Sequence, residues 1–151
     1  MTQTEKRSVF ILVIWGLAAC GVAAAFFGGG GPRSFGADQG RIVATAVVLG
    51  LGFGAFFLML YLTRSRPGVT PLVVDERDET IAARAGVITL VVVLSSVYLT
   101  CIVLWELHRG AGCVPVGWLW FLGYGAVICT YLCHATVTLV LNHRTGGRGQ
   151  G

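Results

Sequence analysis

Four long apolar runs, separated by short charged clusters, organise this chain. They cover residues 9–27, 42–62, 81–105 and 117–141. A helix that crosses the hydrocarbon core of a bilayer needs roughly 20 apolar residues, and every run is about that long. Apart from Arg84 in the first turn of the third run, no Asp, Glu, Lys or Arg interrupts them. Inside lipid the backbone must satisfy its own hydrogen bonds, so each run is predicted to be a helix. The expected fold is all-α: a polytopic membrane protein with four transmembrane helices in two antiparallel hairpins.

The links between the runs refine this picture. Gly28, Gly29, Gly30 and Gly31 with Pro32 end the first run and predict an irregular turn. The longest link follows the second run, over residues 63–80, and Pro71 stops a helix from continuing through it. Residues 106–116 form a short link that makes the third and fourth helices antiparallel neighbours. Residues 1–144 are expected to form one transmembrane domain, and the Gly-rich stretch 145–151 a flexible tail.

Composition removes the soluble alternative. Only 12% of residues are charged, about half the usual share of a soluble domain, too few to cover a globular surface. The net charge of +4 does not point to nucleic acid, because the cations sit at the ends of apolar runs, where they set orientation. Lys6, Arg7, Arg64, Arg66, Arg77, Arg84, Arg144 and Arg148 fall on one side, and Arg33, Arg41 and Arg109 on the other. This asymmetry predicts a cell-membrane protein with both termini in the cytoplasm. Trp105, Trp118 and Trp120 gather at the opposite face, as an interfacial aromatic belt does.

Leu17, Ala18, Ala19 and Cys20, preceded by Lys6 and Arg7, also resemble a bacterial lipoprotein signal with a lipidated cysteine. The apolar run continues to Phe27, where a polar tether would be expected, and it is long enough to span. The expectation is therefore an uncleaved first helix.

The most distinctive polar stretch is Asp75, Glu76, Arg77, Asp78 and Glu79, at the start of the third helix. Acids there cap a helix and complement its dipole. They also offer a docking surface to a soluble cytoplasmic partner. The spacing is not that of a calcium loop, which needs a central Gly and a distal Glu. Asp75-Glu76-Arg77-Asp78 followed by Ile81 resembles a D-E-R-D-x-x-I signature of an uncharacterised family of small four-helix bacterial and archaeal membrane proteins. In that family the motif precedes the third helix. The resemblance implies the four-helix topology and no particular activity.

The remaining candidate residues lie mostly in the helices. Gly50 and Gly54, and Gly125 with Cys129 and Cys133, form small-residue stripes that predict close helix packing, within one copy or between two. Cys101 and Cys113 fall near the outer face and are candidates to pair. His134 is the most notable polar intramembrane group, since ionisable residues there are functional candidates. The competing reading of His134 is a neutral imidazole bonded to a hydroxyl of a neighbouring helix. His108 and His134 cannot share a haem iron, because they lie about 25 Å apart in depth.

No nucleophile–base pair, metal set or cofactor fingerprint stands out, so no catalytic activity and no bound cofactor are expected. The leading functional reading is an accessory or regulatory protein. Its partners would be the lipid bilayer, other membrane subunits or a second copy, and a soluble protein at residues 75–79. An oligomeric transporter or channel is the alternative, with Thr89, Ser95, Ser96, Thr100, Thr130, His134, Thr136 and Thr138 lining its path. A cofactor- or lipid-contacting subunit of a membrane redox complex is a third.

Overall fold

A computed structural model describes residues 3–62 and 76–146, with the side chains of residues 5–62 and 79–144. Its elements are α1 (Gln3–Phe27), α2 (Pro32–Phe35), α3 (Gln39–Leu62), α4 (Glu76–His108) and α5 (Val116–Gly146). The four long helices are the four predicted runs, each long and apolar enough to cross a membrane. The protein is an all-α, multi-pass integral membrane protein.

The helices form a row rather than a closed square. α1 packs on α3 and α4 packs on α5, and the two hairpins meet where α1 packs on α5. The core lies at that junction. Trp15, Ala18 and Val22 of α1 bury against Leu49 of α3 and Ile128 of α5. Trp15 is 0% exposed. Its ring stacks on Tyr131 of α5, centroids 4.3 Å apart, and meets the edge of Phe53 of α3 at 5.0 Å. Gly52 faces this cluster, and a Cβ there would lie in ordinary contact with Trp15 and Ala18 at 3.8 Å.

The link after α1 is more ordered than the sequence implies. Four residues wind into α2, with Pro32 in its first turn, where a missing N–H costs nothing. Gly30 (φ 100°) and Gly31 (φ 75°) make the reversal that leads into it. Phe35 is fully buried and rests against Phe26, centroids 5.1 Å apart. α2 also lies on the first turn of α5, so close that a side chain at Gly117 would overlap the Pro32 carbonyl.

Arg41 ties this end together. Asp38 caps α3 by accepting the Arg41 backbone N–H at 3.2 Å and the Arg41 Nε–H at 2.9 Å. The other guanidinium nitrogens donate to the Phe26 carbonyl at 3.4 Å and to Ser34 Oγ at 2.8 Å. Phe26 lies in the last turn of α1, whose final carbonyls have no helical partner, and a cation there is favourable. Gly29 leaves room for the guanidinium, since a Cβ would come within 2.8 Å of it. The exposed Asp38 carboxyl is held below its ordinary range, first by the Arg41 backbone N–H and then by the Arg41 side chain.

Candidate functional site

α4 is covered along one narrow stripe. Ile81, Ala85, Thr89 and Leu104 are buried and Val93, Val97, Thr100 and His108 half-buried. Their spacing of three and four residues marks a single helix face, and that face meets α5. Among the described residues, α5 is the only helix against which α4 packs extensively. Val91, Leu94, Tyr98, Ile102 and Trp105 point elsewhere and are exposed to the lipid phase.

Even the covered stripe does not close. A groove runs between α4 and α5. One part, of about 160 Å³, lies between Val93, Ser96 and Thr100 on α4 and Phe121, Gly125 and Cys129 on α5. Another, of about 280 Å³, lies between Gly86, Thr89 and Val93 and the α5 residues Thr130, Tyr131 and His134. Val93 borders both. A Cβ at Gly86 or Gly125 would meet nothing within 4 Å, so neither glycine is there to admit a neighbouring backbone of this copy.

The hydroxyls along the groove are turned back on their own helices. Thr89 donates to Ala85, Ser96 to Val92, Thr100 to Ser96 and Thr130 to Ala126, each at 2.7 Å. Thr136 and Thr138, on the same helix as His134, likewise donate to Leu132 and His134 carbonyls. With its proton committed at i−4, a hydroxyl donates nothing across the groove. The residues proposed to line a transport path are thus largely self-satisfied.

His134 is the exception. It is 18 residues beyond Val116 and 10 before Arg144, or about 27 Å and about 15 Å from those ends, well inside the hydrocarbon. It is half-buried, and among the described residues its Nδ1, like Trp15 Nε1 in the core, is buried with no hydrogen-bond partner. The hydroxyl bond from a neighbouring helix, expected as its bland explanation, is not formed, because Thr89 across the groove has turned to Ala85. Tyr131, one turn earlier, is fixed by its stack on Trp15 and by Phe56 at 5.0 Å. One wall of the groove is therefore anchored in the core, and the other is the singly supported α4.

The other candidate residues fall in varied places. Gly50 and Gly54 face outward on α3, where a Cβ would meet nothing within 4 Å. They do not close this monomer. Gly21 and Gly52 do, against Val48 and against Trp15 with Ala18, and the flat hydropathy of the helices gave no sign of which face turns inward. Cys129 borders the groove, and Cys133 is half-buried one turn on. Cys101 and Cys113 are free and exposed rather than paired. α4 begins at Glu76, one residue after Asp75, which lies outside the described residues together with the side chains of Glu76, Arg77 and Asp78. Glu79 is exposed. Arg41, which organises the far end, was read from sequence only as an orientation charge. Its spacing of three from Asp38 was the available signal.

No protein-family model, curated protein or solved structure matches the chain.

Proposed function

We propose that this chain is a non-enzymatic accessory or regulatory membrane protein that docks a transmembrane helix of another subunit along α4 and the α4–α5 groove. The observation that carries the reading is His134: an imidazole nitrogen buried inside the membrane, without a partner, on the fixed wall of a groove whose other wall is loosely held. An unsatisfied polar group in hydrocarbon is costly. An incoming helix that shifts the singly supported α4 and supplies a hydrogen-bonding side chain to the ring removes that cost, whichever tautomer His134 adopts. The open glycine positions 86 and 125 leave space for it. The transporter alternative gains no support from one copy, whose groove hydroxyls are bonded back to their own helices.

In this reading both termini lie in the cytoplasm, which the distribution of Lys and Arg supports, and membership of the D-E-R-D-x-x-I family is part of the proposal. α4 spans 33 residues, or about 50 Å, against a core of roughly 30 Å. Its acidic start would then project beyond the membrane, where Asp75, Glu76, Asp78 and Glu79 offer a negative surface to a soluble partner. Changing these four to Asn or Gln is expected to remove a soluble protein from a mild-detergent preparation while membrane partners remain. Retention of every co-purifying protein would refute the acidic docking surface.

A further inference from the structure

A second groove lies on the other side of α1, and its chemistry differs from that of the α4–α5 groove. It has a volume of about 490 Å³ and separates α1 from the C-terminal part of α3. Phe10 and Ile14 form one wall, and Ala55, Leu58 and Met59 the other. Deeper in the membrane the two helices close, where Trp15 and Ala18 approach Gly52. At the shallow end stand Lys6 and Arg7, the last cations before the apolar run of α1. Glu5 lines a different groove, with Leu139, His143 and Arg144 of α5.

Length and charge select the occupant. From Arg7 to Ile14 the groove runs about 10 Å, within the roughly 15 Å of one leaflet. A spanning helix would need contact over about twice that depth or more. A lipid chain needs only one leaflet, and it arrives with a headgroup at the level of the two cations. Basic residues between transmembrane helices at the membrane surface favour anionic headgroups.

We infer that the α1–α3 groove is a binding site for an anionic phospholipid, with an acyl chain between Phe10, Ile14 and Leu58 and its phosphate on Lys6 and Arg7. The site is independent of the docking function proposed for α4, so either can fail alone.

The test uses the full chain reconstituted in nanodiscs of mixed phosphatidylglycerol and phosphatidylcholine, followed by native mass spectrometry of the retained lipid. The wild type is expected to retain phosphatidylglycerol preferentially. Lys6→Gln with Arg7→Gln should lower that preference roughly thirty-fold, and Lys6→Gln alone roughly five-fold. Ala55→Phe, which fills the groove, should reduce lipid retention while both cations remain. Equal retention of the two lipids by the wild type would overturn the inference. So would an undiminished preference in the charge variants, or a Leu58→Cys variant that cross-links quantitatively to a second copy through this face.

Discussion

Arg41 and His134 are both polar groups that a membrane protein must account for, and the fold treats them in opposite ways. Around Arg41 everything is used. Its guanidinium meets Asp38, Ser34 and the end of α1, a glycine stands aside for it, and Phe35 lies 5.7 Å beneath it. Around His134 the partners are missing, the hydroxyls have turned away and the facing helix is held along one stripe. The first arrangement locks α1, α2 and α3 into one unit. The second leaves α4 attached but incompletely covered. The contrast is what the proposed docking role of the α4 side rests on.

The largest expected effect lies in the core where α1, α3 and α5 meet, which anchors one wall of the groove and leaves α4 out. Trp15→Ala removes the stack on Tyr131 and the contact with Phe53, and should cost about 3–5 kcal/mol. Leu94→Ala, on the uncovered face of α4, should change stability by no more than about 0.5 kcal/mol. Thermal unfolding in the same detergent compares them, and similar losses would erase the distinction between the two sides.

Arg41→Gln tests the cap itself. It strips the Phe26 carbonyl, Ser34 and Asp38 of a charged donor and should cost about 1.5–3 kcal/mol. Asp38→Asn should cost less, and its cost should depend on pH. The folded carboxyl titrates below its ordinary value, so its contribution is complete above the unfolded value near 3.9 and is lost as pH falls through the lower, folded one. The difference in Tm between wild type and Asp38→Asn should be constant above about pH 5 and shrink below about pH 4. A difference that disappears already near pH 6 would exclude this carboxylate as its source.

The long helices were legible because a membrane imposes one rule, length with apolarity, and residues 9–27 and 42–62 satisfy it without help from tertiary contacts. Which side of each helix faces a neighbour was not legible. Lipid and protein core are equally apolar, so Gly50 and Gly54 looked as inward as Gly52, and only Trp15 decides between them. The short α2 escaped for a related reason. Nothing in Pro32-Arg33-Ser34-Phe35 demands a helix until Phe26 and Gly117 are placed around it. At the groove, His134 stood out in sequence as an ionisable residue among apolar ones. Its lack of a partner depends on where Thr89 points, a choice made across two helices.

The central claim, that the His134 groove awaits another helix, is tested most directly by His134→Leu. The full chain would be purified in mild detergent from its native membrane, with its thermal stability measured and its co-purifying proteins quantified by mass spectrometry. The account predicts an isolated protein as stable as the wild type or more so, because a buried unpaired polar group has been removed. It also predicts the loss of a stoichiometric membrane partner that the wild type retains. A partner bound equally well by His134→Leu, or no membrane partner on the wild type, would contradict it.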